Sequence, residues 1–150
     1  IGSLIRPLGG HFSDKFGGAR VTHYHTLLMT IVTACLGIIV KFAREATKDR
    51  MNYFPPFFIC FLILFYCTGV GNGSTFRQIA IIFDKTLAPP VLGWSSAIAS
   101  FGAFLIPKFF ATAIQAGTPE NPFFIFAAYY ATCLAVNWWY YFRKGAEKPC

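Results

Sequence analysis

The sequence predicts an all-α integral membrane protein, and three observations support that prediction. Hydrophobic residues make up 55% of the 150-residue chain and charged residues only 13%, about half the charged share of a soluble domain. The apolar residues are clustered in blocks longer than the ~18 residues that mark a spanning helix. Backbone groups inside lipid must satisfy one another, so we expect these blocks to be helices.

Five apolar segments follow one another along the chain. The first begins without a methionine or a signal-peptide pattern, which favours a truncated helix in a C-terminal fragment of a longer protein. The other four have about 20 residues or more, enough to cross a ~30 Å hydrocarbon core. We expect the segments at residues 1–12, 21–42, 54–83, 91–115 and 122–142, with a tail at 143–150.

Prolines and basic residues organise the connections between these segments. Pro55 and Pro56 open the third segment, where a missing N–H does least harm, and Pro107 should kink the fourth. Lysines and arginines are more numerous on the side of the first and third connections and the tail, which predicts a cytoplasmic C-terminus. These are Lys15, Arg20, Lys85, Arg143, Lys144 and Lys148, against Arg44, Lys48 and Arg50 on the other side.

The reactive side chains form no pattern typical of a metal site or an enzyme. Four of the five cysteines lie in apolar blocks without metal-ligand spacing. His23 and His25 are two residues apart and point to different faces of a helix. The net charge of +7 is spread over the connections, which argues against nucleic acid as a partner. We therefore expect no metal, no cofactor and no enzymatic activity.

Arg6 is a charged residue inside the first apolar segment. It lies roughly 10 Å from the expected end of the helix, a depth at which a charge costs about 2.5–3.5 kcal/mol on insertion scales. Two interpretations are open: the side chain extends to the membrane surface, or it lines a cavity and meets an anion. The second is favoured because all the acids lie in connections or the tail, so the substrate would bring the anion. The acids are Asp14, Glu45, Asp49, Asp84, Glu120 and Glu147.

The stretch GVGNGSTFRQI at residues 69–79 ends an apolar run with small and polar residues. Gly69 and Gly73 share one helix face and permit close helix contact. Asn72 and Ser74 need partners inside the bundle, and Arg77 lies at a depth similar to that of Arg6. The glycine spacing matches neither a dinucleotide fingerprint nor a P-loop. These residues alone predict polar helix packing with a candidate anion site.

Two further stretches are rich in small residues. In GGHFSDKFGGAR, residues 9–20, the glycines allow a tight turn, and Asp14 can accept from Arg20 or lie against the positive N-terminus of a neighbouring helix. In the fourth apolar segment, Gly93 and Ser96 share a helix face. They could reach a small ligand, or they could serve close helix packing only.

The motifs SLIRPLGGHFSDKFGGARVT, GVGNGSTFRQI and LGWSSAIASFGAFLIPKFF, in this order, resemble the NarK-type nitrate/nitrite porter family of the major facilitator superfamily. The resemblance covers essentially the whole chain. It implies the C-terminal part of a twelve-helix fold, from the end of helix 8 to helix 12, with one truncated and four complete spans.

For the site, the resemblance implies that Arg6 matches a nitrate-binding arginine and that Asp14, with Arg20, is a conformational latch. The stretch from Gly93 to Phe104 corresponds to a second nitrate signature, from which Ala99 and Ala103 depart. We expect substrate contacts from Arg6, Asn72, Ser74, Gly93 and Ser96.

For function, the resemblance implies transmembrane transport of nitrate and nitrite by alternating access in the cell's inner (plasma) membrane. The implied partners are these two anions, the lipid bilayer and the missing N-terminal half of the same transporter. Exchange of nitrate for nitrite is favoured because no acid within the apolar segments is available to carry a proton. The alternatives are a proton-coupled nitrate symporter and a non-transporting membrane anion sensor or subunit.

Overall fold

The computed structural model describes residues 2–46 and 49–146, with side chains from residue 5 onward. In these ranges the chain is helical and contains no strand, as the sequence predicts. A 3-10 turn (Arg50–Tyr53) precedes the third helix, and a π-helical segment (Trp138–Phe142) continues the fifth. The α-helices are α1 (Gly2–Phe16), α2 (Gly18–Glu45), α3 (Phe54–Ile82), α4 (Ala88–Gln115) and α5 (Asn121–Asn137).

The turn between α1 and α2 consists of a single residue. Gly17 has φ 90°, a left-handed conformation that glycine adopts without steric cost. Its amide donates to the Ser13 carbonyl at 3.0 Å, and its own carbonyl accepts from the Val21 amide at 3.2 Å. The expected polar connection is therefore shorter than the sequence suggests, because α1 continues to Phe16 and α2 begins at Gly18.

Three helices are long and apolar enough to cross a membrane, and these are α2, α3 with its preceding turn, and α4. The α-helical part of α5 has 17 residues, and the π-helical segment carries it to Phe142, where the sequence predicts the end of the span. Prolines occupy the first turns of α3, α4 and α5, where no intrahelical hydrogen bond is lost.

The helices pack around α3 and α2. Both α1 and α2 lie along α3, and α5 packs against α2. The core joins Val32 and Leu36 of α2 to Phe123 of α5, with the rings of Phe57 and Phe61 packed around them. Most of the other large apolar side chains point outward, which suits a protein surrounded by lipid.

The fourth helix, α4, is the most loosely attached. It touches only α3 and α5 among the described helices, and Ala88 and Ala113 are its two buried residues. Most of the α4 surface is therefore not covered by the other described helices.

Candidate functional site

Glycines allow the backbones of α1 and α3 to approach closely. A Cβ atom at Gly9 would collide with the backbone of Val70, whose Cα would be 2.9 Å away. A Cβ atom at Gly73 would collide with the Arg6 carbonyl and lie 3.1 Å from the Gly10 amide nitrogen. Backbone atoms cannot rotate aside as a side chain can. The prediction that Gly73 permits close helix contact is confirmed, and the crossing fixes the backbone of Arg6 against α3.

Arg6 itself presents an exposed side chain on α1. In the part of the chain that the structure describes, its guanidinium has no hydrogen-bond partner and no ion pair. Its backbone is held at the α1–α3 crossing while its charge is available. This arrangement allows the guanidinium to bind an anion that is not part of these helices.

The two predicted ligands on α3 differ in their surroundings. Ser74 is completely buried, and its hydroxyl lies 2.9 Å from the Thr22 hydroxyl of α2 while donating to the Gly71 carbonyl at 3.0 Å. The side-chain oxygen of Asn72 is also buried, but it has no hydrogen-bond partner among the described residues. A buried polar atom without a partner is uncommon in proteins. Asn72 is therefore more available to a ligand than Ser74, which links α2 to α3.

The two predicted ligands on α4 are exposed. A Cβ atom added at Gly93 would meet no other atom within 4 Å, and Ser96 lies one turn further along the same helix. Among the described residues, α4 does not contact α1, so these helices do not bring Gly93 and Ser96 against Arg6. Their part in the site stays a prediction.

Asp14 forms an ion pair with Arg77 of α3. The Nε atom of Arg77 donates to Asp14 Oδ1 at 2.5 Å, and both side chains are about half exposed. The sequence suggested Arg20 or a helix N-terminus as the partner of Asp14. Arg20 is exposed on the first turn of α2 and makes no ion pair within the described ranges. The structure favours Arg77 because α1 and α3 lie side by side. In the sequence, the only indication of a role for Arg77 was its depth in the third apolar segment.

A second ion pair ties the other end of α2 to the start of α5. Arg44 Nη2 lies 2.9 Å from Glu120 Oε1, and Arg44 Nη1 donates to the Gly117 carbonyl at 3.0 Å. The Glu120 side chain is only 7% exposed, and its other oxygen is buried without a partner in the described structure. The sequence placed Glu120 in a connection, which is correct, but gave no sign of its burial.

Two of the three histidines, His23 and His25, act as aromatic packing residues. His23 stacks on Phe142, with ring centroids 4.4 Å apart and an interplanar angle of 10°. His25 Nδ1 lies 2.8 Å from the Val21 carbonyl, and its ring contacts that of Tyr66. Among the described residues there is no group of three or more histidine, cysteine or acidic side chains that could hold a metal ion.

The bundle of long apolar helices defines a multi-pass α-helical membrane protein. Within it, Arg6 lies at the close crossing of α1 and α3 and has no ion pair among the described residues. No protein-family model matches the chain, but named relatives align along nearly all of it. It is 39% identical over 151 residues to the probable nitrate/nitrite antiporter NarK2 of Thermus thermophilus. It is 34% identical over 171 residues to the nitrate/nitrite transporter NarU of Salmonella typhimurium, and 31% over 166 residues to NarU of Escherichia coli.

These alignments cover 100%, 99% and 96% of the chain, but only 33%, 35% and 35% of the respective relatives. These similarities are consistent with a fragment of a NarK-type porter of the major facilitator superfamily, the family that the three motifs resemble. The chain spans about a third of the length of the relatives it matches. All three relatives are named as transporters, in agreement with the expectation that the protein is not an enzyme.

Proposed function

We propose that the protein containing this chain moves nitrate and nitrite across a membrane by alternating access, exchanging one anion for the other. The observation that carries the proposal is Arg6, whose backbone is held at the α1–α3 crossing and whose guanidinium has no acid partner in the described structure. The similarity to proteins named nitrate/nitrite antiporter and transporter supports the choice of substrate.

A guanidinium suits this substrate better than an ammonium does. Nitrate is flat and shares its charge over three oxygens, so a planar fork of N–H donors can bind two of them at once. Asn72, Gly93 and Ser96 are proposed to line the same path. Ser74 would reach it only if its contact with Thr22 opened. The facing side of the site would come from the N-terminal half of the transporter.

Alternating access requires contacts that form in one state and break in another. The Asp14–Arg77 pair is a suitable contact because it joins α1 to α3 and is open to solvent. An exposed pair of this kind contributes about 0.2–1 kcal/mol, enough to bias two states without locking either. We propose that Asp14 acts as a latch with Arg77 as its partner, on the cytoplasmic side that the basic connections indicate.

Exchange is proposed over proton symport because of where the acids lie. Symport needs a group that takes up a proton inside the pathway. Among the described acids, Asp14 and Glu120 are engaged in ion pairs with arginines at opposite ends of the bundle. The Thermus relative is named an antiporter, which supports the same choice.

The test is nitrite counterflow into nitrate-loaded proteoliposomes that contain the full-length protein. Arg6→Lys keeps the charge but removes the fork, and we expect it to reduce exchange by about tenfold or more, since a charge-assisted hydrogen bond contributes ~1.5–3 kcal/mol. The matched control is Arg50→Lys, at an exposed arginine in the 3-10 turn, which should exchange like the wild type. Equal exchange by all three proteins would refute the role of Arg6.

The same vesicles separate the competing functions. Nitrate uptake that requires an imposed proton gradient would establish symport instead of exchange. Nitrate binding without any movement of either anion would establish a sensor or an accessory subunit.

A further inference from the structure

An open groove of about 640 Å³ lies where the end of α1, the start of α2 and the π-helical segment meet. We call it the aromatic groove, because rings form most of its walls. The Tyr24 ring meets that of Phe142 edge to face, with centroids 6.3 Å apart, which gives one wall a fixed shape. The lining rings are those of Phe12, Phe16, Tyr24, His25, Tyr66 and Phe142.

One cation lines this groove and a second lies beside one of its rings. Arg20 lines it and has no ion pair within the described ranges. The Lys15 ammonium lies 5.4 Å from the centroid of the Phe16 ring, which also lines the groove. Asp14, the acid next to Lys15, is already bound by Arg77. The two cations are therefore not neutralised by the acid nearest to them in sequence.

The polar and apolar parts of the aromatic groove are arranged along the helix axis. Arg20 stands on the first turn of α2, at the end of a span, while His25 is five residues further along, a distance of ~7.5 Å. Tyr66, whose ring contacts that of His25, lies well inside α3. The groove thus runs from a charged mouth at the helix ends towards the middle of the apolar segments. A phospholipid is arranged in the same order, with a charged headgroup followed by hydrocarbon chains.

We propose that the aromatic groove binds one anionic glycerophospholipid. Its phosphate would lie against Arg20, and one acyl chain would lie against the rings. Basic pockets between spanning helices on the cytoplasmic side bind anionic headgroups, whereas a zwitterionic lipid lacks the net charge that two unpaired cations favour. The inference concerns the lipid-facing surface and is independent of which anion the protein transports.

The first test measures the thermal unfolding midpoint of the detergent-purified full-length protein during titration with phosphatidylglycerol or with phosphatidylcholine of the same acyl chains. We expect phosphatidylglycerol to raise the midpoint more. Arg20→Gln should weaken the apparent affinity for phosphatidylglycerol about fivefold, since one basic residue near a membrane surface contributes ~1 kcal/mol. Arg50→Gln, the matched control, should behave as the wild type. Equal effects of the two lipids, or an unchanged response in Arg20→Gln, would overturn the proposal.

A second measurement locates the lipid and does not depend on stability. Phosphatidylglycerol carrying a photoreactive acyl chain is cross-linked to the full-length protein, and the modified peptides are identified by mass spectrometry. The proposal requires cross-links on Tyr24 or Tyr66 that excess unlabelled phosphatidylglycerol removes and phosphatidylcholine does not. Cross-links confined to other helices would show that another segment of the transporter covers the groove, and would refute lipid binding there.

Discussion

Asp14 and Arg77 are 63 residues apart in sequence, yet the carboxylate of one accepts a 2.5 Å hydrogen bond from the guanidinium of the other. The contact connects the last turns of α1 to the last turns of α3. It lies beyond the crossing of Gly9 and Gly73, at which the two backbones touch. A solvent-exposed ion pair and a dry glycine contact therefore hold the same two helices, and they should respond differently to mutation.

The ion pair should affect the rate of transport more than stability. Asp14→Asn should change the free energy of unfolding by less than about 1 kcal/mol, because both side chains are half exposed. If the pair is a latch, the same variant should change the exchange rate several-fold and leave the apparent affinity for nitrate unchanged. Thermal unfolding and counterflow of the full-length protein measure the two effects.

The control for this prediction is charge reversal. Asp14→Arg should impair exchange, and Asp14→Arg combined with Arg77→Asp should restore part of it. If the double variant is no better than the single one, the pair has no role as a latch.

The glycine crossing should tolerate no added methyl group. Gly73→Ala would drive a Cβ atom into the backbone of Arg6, and overpacking of this kind costs about 1–3 kcal/mol. Gly71→Ala, on the same helix, meets no atom within 4 Å and should be neutral or slightly stabilising, because alanine favours a helix. We expect the unfolding midpoint to fall in the first variant only. A fall of similar size in both would contradict the crossing.

The Arg44–Glu120 pair should contribute to stability because its acid is buried. Arg44→Met leaves the carboxylate of Glu120 without its charged partner, and we expect a loss of about 1–3 kcal/mol in the free energy of unfolding. Adding Glu120→Gln should recover part of the loss, since the double variant buries no charge. Glu45→Gln, which removes an exposed acid 3.8 Å from Arg44, is the control and should have little effect. If Arg44→Met matches that control, the buried pair adds nothing.

The hydroxyl of Ser74 should matter for helix packing rather than for substrate. Ser74→Ala removes its contact with Thr22, and hydrogen bonds between spanning helices contribute about 0.6 kcal/mol on average. We expect a small fall in the unfolding midpoint and an unchanged KM for nitrate. Asn72→Ala, by contrast, should raise the KM, because the side-chain oxygen of Asn72 is buried and has no hydrogen-bond partner in the described structure. A raised KM in Ser74→Ala would return that residue to the substrate path.

The sequence determined the parts of this protein that depend on one segment at a time. Length and hydropathy act on each segment separately, so the helical membrane class and the approximate spans could be predicted without tertiary information. Local chemistry predicted a tight turn within residues 9–20 and the close packing at Gly73, because small residues at these positions have few other uses, but the structure placed the turn at Gly17. The family followed from three motifs whose order and spacing are also properties of the chain alone.

Only the tertiary structure decided which side chains meet. The rotation of each helix about its axis is set by packing against its neighbours, and the sequence of one segment does not contain it. For this reason Asp14 pairs with Arg77 rather than Arg20, Glu120 is buried beside Arg44, and Ser74 faces α2 while Asn72 is left without a partner for its oxygen in the described structure. Hydropathy predicts that a segment crosses the membrane, but the neighbouring helices determine the direction in which each of its polar groups points.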